Sequence, residues 1–388
     1  MVDFTNTEIA FQAKSGTDIK RAQWLFKAMA YPRLVKFGKW AIHWAIKCKL
    51  PIKGIIKATI FKQFCGGENI TECESTTQRL SAFKIGTILD YSVEGKTSDE
   101  DFETTTDIII STIVKAGNQP NIPFAVFKMT GIGRLDLLET ASQSPEVATE
   151  VQREEIHAIK KRFERICEAA GKHQVRLFID AEETWIQPVL DAWTFEMMCK
   201  YNQAKAIIYN TVQMYRHDRL TFLHEQRVKA KSENIVYGVK LVRGAYMEKE
   251  RERAQTMGYP SPIQPDKAAT DRDYDEALRF MVEHSDCFAL CAGSHNEESS
   301  MLLTQLMSQK QLSAANEKFF FAQLLGMSDH ISYNLANAGY NVAKYVPFGP
   351  VKEVLPYLLR RADENTSVAG QTGRELGLIS AEVQRRRQ

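Results

Sequence analysis

The chain has 388 residues and a mass of 44.1 kDa, which suits one large α/β barrel or two ordinary domains. It is 44% hydrophobic and 25% charged, values of an ordinary globular protein that exclude the disordered, collagen-like and fibrous classes. No stretch of about 18 apolar residues is free of charge, so the sequence predicts no membrane-spanning helix.

The first ten residues and the cysteines predict where the protein works. Met1–Ala10 contain Asp3 and Glu8 and no basic residue, which argues against a signal or transit peptide. The seven cysteines are scattered along a long chain, a distribution typical of reduced thiols and not of a disulfide framework. We therefore expect a cytoplasmic protein. Peripheral association with the inner face of a membrane is compatible with this expectation.

Charge is unevenly distributed along the chain. Ile19–Gly67 contain eleven Lys and Arg and neither Asp nor Glu, whereas the other residues hold 39 basic and 48 acidic side chains. Aromatic residues such as Trp40 and Trp44 alternate with the lysines, and Pro32 and Pro51 divide the segment into short helices.

Two interpretations of this basic segment are equally open. Aromatic residues interleaved with lysine favour helices within Ile19–Phe64 that lie on an anionic membrane surface. An arm packed on the main domain by its apolar face, with the lysines in solvent, gives the same pattern. A nucleic acid partner is not supported, because no nucleic-acid-binding motif accompanies the charge.

From Ile85 onward, short apolar runs alternate with segments of helical periodicity. The runs are rich in Val, Ile, Phe and Tyr and almost continuously apolar, as parallel strands buried on both faces should be. The eight predicted strands are Ile85–Val93, Ile122–Thr130, Val175–Asp180, Ala206–Gln213, Val236–Arg243, Cys287–Ala292, Lys318–Leu324 and Asn341–Val346. The predicted helices between them include Pro145–Ala170, Ile186–Tyr201, Asp218–Lys231 and Asp271–His284. This alternation over about 260 residues predicts a (β/α)8 TIM-type barrel, with a doubly wound sheet as the alternative.

The barrel prediction implies a domain plan and a site. Residues 1–67 would form a basic helical arm, 68–370 the barrel with its last helix over the mouth, and 371–388 a C-terminal tail. Nearly every predicted strand ends, on its C-terminal side, in polar or small residues: Asp90 and Ser92, Lys128 and Thr130, Asp180 and Glu182, Asn210 and Gln213, Arg243, Ser294 and His295, Gln323, and Tyr345. Because this edge of a barrel is one ring around one mouth, the pattern predicts an enzyme or a ligand-binding barrel.

Several common motifs are incomplete. Gly131-Ile-Gly133 follows a strand, but Asp136 stands where a dinucleotide fingerprint needs a third glycine. No phosphate-binding loop, nucleophile elbow or zinc-ligand spacing occurs. A barrel lyase that uses Lys128 or Lys240 as a Schiff base remains an alternative, as does a barrel that only binds.

The last predicted strand leads into a helix with a basic stripe. Tyr357, Arg360, Arg361 and Glu364 are three and four residues apart and share one helix face. Two neighbouring guanidinium groups beside a barrel mouth can clamp a carboxylate, whose geometry their planar forks match. A solvated Arg/Glu face is the alternative, but Tyr345 on the mouth side and a third cation at Lys128 favour a small anionic substrate.

Three motifs together resemble the proline dehydrogenase (proline oxidase) family of flavin-dependent barrels. They are Asp180-Ala-Glu182-Glu183, Lys240-Leu-Val-Arg243-Gly244-Ala245-Tyr246, and the block from Tyr345 to Glu364 with Pro347, Gly349, Tyr357, Arg360 and Arg361. They occur in the family's order, and the resemblance runs from about Cys65 to Val368. One departure is Lys240, where some bacterial members carry arginine, and another is a long charged insert between Gly133 and Arg176.

The resemblance implies oxidation of L-proline to Δ1-pyrroline-5-carboxylate by hydride transfer to N5 of FAD, with electrons passed to a membrane quinone. A downstream pyrroline-5-carboxylate dehydrogenase is a further implied partner. The implied substrate residues are Lys128, Tyr246, Leu324, Tyr345, Tyr357, Arg360 and Arg361, and Lys128, Asp180, Tyr345, Arg360 and Arg361 count as catalytic. The implied FAD residues are Asp180, Gln213, Lys240, Val242, Arg243, Gly244, Ala245, Tyr246, Gly293, Ser294, His295, Asn296, Arg361 and Glu364. No metal is implied.

Tyr345 bears on the choice between proline and hydroxyproline. In the hydroxyproline-preferring branch a smaller residue usually occupies the matching position. A bulky tyrosine beside the ring leaves little room for a hydroxyl group, so we expect proline, with hydroxyproline dehydrogenase as the alternative. Pockets reject an added hydroxyl only weakly, so this argument sets a preference and not an exclusion.

Overall fold

The computed structural model describes residues 2–48, 51–93, 97–143, 146, 148–367 and 371–388. Its eight strands form one closed barrel in sequence order, and the registered neighbours run parallel. Helices alternate with the strands. The predicted (β/α)8 barrel is confirmed, and the doubly wound sheet is excluded because an open sheet would have two edges.

All eight predicted strands are present, most of them shortened at one or both ends. They are β1 Ile85–Tyr91, β2 Phe124–Lys128, β3 Arg176–Asp180, β4 Ile208–Gln213, β5 Tyr237–Val242, β6 Phe288–Gly293, β7 Phe319–Leu324 and β8 Val342–Phe348. Every residue of β4 and β8 is buried. Burial on both faces explains why these strands do not alternate between apolar and polar residues.

The helices follow the predicted pattern. They are α1 Thr7–Phe11, α2 Gly16–Met29, α3 Pro32–Lys47, α4 Lys53–Ile56, α5 Lys62–Phe64, α6 Glu74–Ser81, α7 Asp99–Gly117, α8 Leu135–Gln143, α9 Glu150–His173, α10 Gln187–Tyr201, α11 Arg219–Ser232, α12 Met247–Met257, α13 Lys267–Glu283, α14 Glu297–Gln309, α15 Asp329–Asn337, α16 Leu355–Ser367 and α17 Gln371–Arg385. The described residues also include a π-helical turn (Lys57–Phe61) and a 3-10 turn (Met129–Gly131). The long helix α9 starts with a capping box between Thr149 and Gln152, which fixes its first turn.

The chain divides into two compact units. The terminal unit comprises Met1–Glu94 and Gln323–Gln388, and the central unit comprises Gly95–Ala322. In the terminal unit β1 and β8 pair in parallel, from Ile85 opposite Val342 to Tyr91 opposite Phe348. The proposed boundaries at residues 67 and 370 stay a prediction.

Within the terminal unit, helix α2 packs while α3 leaves its aromatic residues exposed. Ile19 and Phe26 of α2 lie in a hydrophobic cluster with Ile379 of α17. Residues 371–385 therefore form a packed helix. On α3, by contrast, Phe37 and Trp40 are 64% and 61% exposed.

The structure also bears on the membrane and thiol predictions. Among the described residues no helix is long and apolar enough to cross a membrane. All seven cysteines are free thiols, and Cys287 and Cys291 are buried.

Candidate active site

Three charged side chains of the central unit come together at the ends of β2, β3 and β5. The ammonium group of Lys240 donates a hydrogen bond of 2.5 Å to Asp180 Oδ1. Lys128 Nζ lies 3.6 Å from the other carboxylate oxygen, Asp180 Oδ2. All three residues were predicted site residues, and the structure places their charged groups next to each other.

The strand register explains this arrangement. Lys128 and Asp180 are the last residues of adjacent strands and lie opposite each other in the β2–β3 register. Lys240 also lies over the ring of Phe178, with Nζ 5.7 Å from the ring centroid. Asp180 and Lys240 are buried, and Lys128 is partly exposed. One carboxylate thus lies between two ammonium groups, and cations at this part of the rim suit an anionic ligand.

Glu182 is a buried carboxylate next to this cluster and was absent from the predicted site set. It accepts hydrogen bonds from the hydroxyl group of Thr130, at 2.5 Å, and from the Thr130 backbone N–H, at 3.2 Å. Burial raises the pKa of Glu182 to about 7, and the neighbouring Glu183 adds to the shift. The sequence feature that could have identified Glu182 is its position two residues after Asp180, the last residue of β3.

Arg243, one of the predicted cofactor residues, is held by four groups. Its guanidinium donates to Asp271 at 2.6 Å and to the hydroxyl groups of Ser294 and Ser299, each at 2.9 Å. It also stacks over the Tyr274 ring, 4.2 Å from its centroid. Arg243 therefore fixes the position of Ser294, which was itself predicted to contact the cofactor.

Most of the other predicted cofactor residues of the central unit lie at the ends of β5 and β6 or in the turns after them, and Gln213 ends β4. Val242 ends β5, Gly293 ends β6, and Asn296 caps α14 by accepting from Ser299 N at 2.9 Å. Gly244 has φ +122°, and a Cβ there would lie 2.5 Å from the Tyr215 ring. Glycine is thus required by the backbone and by Tyr215. The remaining predicted residues lie in the same turns: Ala245, Tyr246, Ser294 and His295.

The terminal unit holds the predicted substrate residues of β7, β8 and α16. Tyr345 and Tyr357 are buried, Arg361 is almost fully buried, and Arg360 is partly exposed. Arg361 stacks on Tyr357, with its guanidinium carbon 4.9 Å from the ring centroid. Glu364 lies in α16, but its side chain is outside the described part of the structure.

Comparison with known proteins identifies the family. A family model described as proline dehydrogenase matches residues 73–374. The chain belongs to the proline dehydrogenase family. "Proline dehydrogenase 1, mitochondrial" of Dictyostelium discoideum is 34% identical over 87% of this chain and 66% of that protein. "Hydroxyproline dehydrogenase" of Xenopus laevis is 30% identical over 97% of this chain and 88% of that protein.

A solved structure has the same fold. It is proline utilization A from Bdellovibrio bacteriovorus inactivated by N-propargylglycine, with a TM-score of 0.70 at 19% identity. The match covers 94% of this chain and 37% of that one. This chain therefore spans about a third of the solved protein and 66% of the Dictyostelium relative.

The residues of this proline dehydrogenase family member fit the flavin implied by the motifs. Gln213 Oε1, at the end of β4, is buried and has no hydrogen-bond partner within the described structure. A buried amide oxygen normally has a donor, so an N–H group of a ligand ring would satisfy it. The buried Lys240 of β5 and Ser294, which follows β6 and accepts from Asn296 N at 3.1 Å, are polar groups of neighbouring strands.

Proposed function

We propose that the protein oxidises L-proline to Δ1-pyrroline-5-carboxylate with FAD as its cofactor. Besides the family motifs, the observation that carries the proposal is the Asp180 carboxylate between Lys240 and Lys128. Bound FAD would supply the two-electron acceptor for the hydride that leaves the ring carbon beside the nitrogen. What this chain contributes is orientation, charge and exclusion of water.

The positive groups are assigned to the substrate carboxylate. In the terminal unit these are Arg360 and Arg361, and Arg361 is already oriented by stacking on Tyr357. In the central unit it is Lys128, whose direction Asp180 sets. Each charge-assisted hydrogen bond to a carboxylate is worth ~1.5–3 kcal/mol, enough to make the carboxylate an anchor for the whole substrate.

The ring and the cofactor are assigned to different sets of residues. Leu324, Tyr345, Tyr357 and Tyr246 would contact the proline ring. Lys240, which donates to Asp180, would place a positive side chain near the flavin and so favour its reduced, anionic form, while Gln213 would bind the flavin ring edge. The turn residues Val242, Gly244, Ala245, Ser294, His295 and Asn296 would hold the rest of FAD.

Hydroxyproline is the second candidate substrate. The hydroxyproline dehydrogenase relative matches nearly the whole chain, at 30% identity. Tyr345 supports proline instead, because its buried side chain takes up the room that a ring hydroxyl group would need.

We further propose that electrons pass to a membrane quinone and that α3 binds the membrane. Leu34, Phe37, Trp40 and Trp44 are all more than half exposed and recur at three- and four-residue intervals on one helix. Lys36, Lys39 and Lys47 accompany them, and apolar residues with flanking lysines suit an anionic bilayer surface. The product would pass to a pyrroline-5-carboxylate dehydrogenase.

An absorbance spectrum of the FAD-loaded protein before and after anaerobic L-proline tests the proposal. We expect a visible flavin band that bleaches with proline and much less with trans-4-hydroxyproline. A flavin band bleached mainly by hydroxyproline would move the assignment to the second substrate. A protein that cannot be loaded with FAD would overturn the proposal, and borohydride trapping of a carbonyl compound would then test a Schiff-base lysine.

A further inference from the structure

A completely buried lysine lies in the middle of β8. Lys344 Nζ is 2.6 Å from Asp329 Oδ1 and donates to the carbonyl oxygens of Met327, at 2.7 Å, and Leu324, at 3.3 Å. Three acceptors match the three N–H groups of an ammonium ion. Burying a charge costs free energy unless the charge is paired, and these three acceptors compensate the buried ammonium group of Lys344.

All three acceptors belong to one loop, Leu324–Asp329, which joins β7 to α15. The loop is conformationally unusual, because Gly326 (φ +78°) and Ser328 (φ +49°) both have left-handed backbones. A Cβ at Gly326 would lie 2.1 Å from the Gln63 carbonyl oxygen. This loop conformation therefore needs outside support, and Lys344 supplies part of it.

Other elements of the terminal unit hold the same loop. Glu375 of α17 accepts a hydrogen bond of 2.8 Å from Ser328 N. Gln63 donates to the Gly326 carbonyl oxygen at 2.8 Å, and Lys14 pairs with Asp329 at 3.1 Å. The N-terminal and C-terminal segments thus meet on this loop.

The loop also connects two side chains assigned to the substrate ring. Lys344 bonds the carbonyl oxygen of Leu324, and it is the residue directly before Tyr345. In return, Leu325 N donates to the Tyr345 carbonyl oxygen at 2.8 Å. The backbones of Leu324 and Tyr345 are therefore tied together by one side chain and one backbone bond.

We propose that Lys344 and Asp329 are positioning residues that set Leu324 against the substrate ring, with Glu375 supporting the loop from α17. This inference rests on the proposed function, because it takes Leu324 as a ring contact. It goes beyond that function in stating that recognition of the ring, and not of the carboxylate, depends on a buried ion pair. Neither residue belongs to the motifs that carry the family resemblance.

The test compares Lys344→Met with Lys318→Met in the full FAD-loaded chain. Lys318 precedes β7, and its ammonium also bonds two backbone carbonyls, those of Ser285 at 2.8 Å and Asp286 at 3.3 Å. For Lys344→Met we expect the KM for proline to rise about tenfold, with a smaller change in kcat. Selectivity for proline over the six-membered pipecolate should fall, while inhibition by acetate stays unchanged. Lys318→Met should change none of these.

Two further measurements keep the proposal falsifiable. Hydrogen exchange at Met327 and Ser328 should speed up in Lys344→Met without a matching change in β2–β6. In the Leu324→Ala background, Lys344→Met should add little to the KM, since residues that act through one contact are not additive. Additive effects, or unchanged exchange in the loop, would overturn the proposal.

Asp329→Asn is the milder variant if Lys344→Met does not fold. It keeps the shape of the side chain and the two carbonyl bonds of Lys344, and it should shift KM and loop exchange in the same direction by less. No shift in either would count against the proposal. If the wild type fails to oxidise proline, the proposed function is wrong, and the exchange measurement still decides whether Lys344 orders the loop.

Discussion

Lys240 and Asp180 form a buried ion pair, with Lys240 Nζ 2.5 Å from Asp180 Oδ1. The second oxygen of the same carboxylate faces Lys128, so one negative charge lies between two positive ones. Asp180 therefore has two functions in the proposed site: it neutralises one buried cation and directs the other. Removing its charge would leave two ammonium groups of like sign near each other.

Asp180→Asn should lower kcat/KM for proline by about 100-fold or more and weaken FAD retention, because it weakens the contacts that orient Lys240 and Lys128, each worth about 1.5–3 kcal/mol. Steady-state kinetics and flavin content per chain measure both effects. Glu196→Gln is the matched control, because Glu196 pairs with Lys160 at 2.8 Å on the exposed surface. Exposed pairs contribute about 0–1 kcal/mol. Equal effects of the two substitutions would contradict a special role for Asp180.

Arg361→Lys tests whether the stacked guanidinium matters beyond its charge. Lysine keeps the positive charge but loses the planar fork and its stacking on Tyr357. We expect the KM for proline to rise roughly tenfold or more, which is about 1.4 kcal/mol or more of lost binding, with a smaller change in kcat. Arg165→Lys, on an exposed part of α9, is the control. A proline KM unchanged by Arg361→Lys would show that charge alone suffices.

The membrane proposal predicts that Trp40→Ser combined with Trp44→Ser releases the protein from anionic vesicles. Co-sedimentation with vesicles of defined anionic lipid content, over a salt series, measures this release. Val151→Ser combined with Val228→Ser removes exposed apolar residues elsewhere and should leave binding unchanged. Binding should also weaken with salt, because lysine contacts to anionic lipid are screened. Equal binding by both double variants would remove α3 as the docking surface.

Not all of the basic segment is available for such binding. Lys53 and Lys57 pair with Glu68, at 2.9 and 2.7 Å, although the sequence suggested a continuous cationic stretch. These pairs hold the pKa of Glu68 at about 2. The count of charges along a chain thus overstates the positive surface, because acidic residues just outside the segment fold back onto it.

The fold could be predicted because every strand of a parallel barrel is buried on both faces and is largely apolar. The rim residues Lys128, Asp180 and Lys240 could be predicted for the opposite reason, as polar residues that interrupt such runs or end them. Lys344 carries the same signal inside a strand, as Lys240 does, but only Lys240 belongs to one of the three motifs. Asp329, the partner of Lys344, begins helix α15, and only tertiary structure brings the two together.

Arg243 and Gly244 show a second limit of predicting a site from sequence. The sequence suggested that both approach a ligand, but Gly244 also accommodates the Tyr215 ring, and Arg243 is bonded to Asp271. The residue type at a motif position can be required by folding, by ligand binding or by both, and the sequence does not tell these requirements apart. Only the packing around each residue separates them.

Glu182 gives the last prediction, a stability that falls as pH rises. Burial raises the pKa of Glu182 to about 7 in the folded chain, against ~4.3 in an unfolded one. The folded state therefore binds this proton more tightly. The resulting stabilisation is fully present below about pH 4 and is lost as pH rises through about 7; its size is on the order of 3 kcal/mol.

Glu182→Gln keeps the shape of the side chain and its capacity to bond Thr130, but it does not titrate. The difference in Tm between the variant and the wild type should therefore grow in favour of the variant from pH 5 to pH 8, as measured by calorimetry in one buffer series. The control Glu196→Gln changes an exposed carboxylate and should give a Tm difference that does not vary with pH. Parallel curves for Glu182→Gln and wild type would mean that Glu182 is ionised in the folded protein across this range.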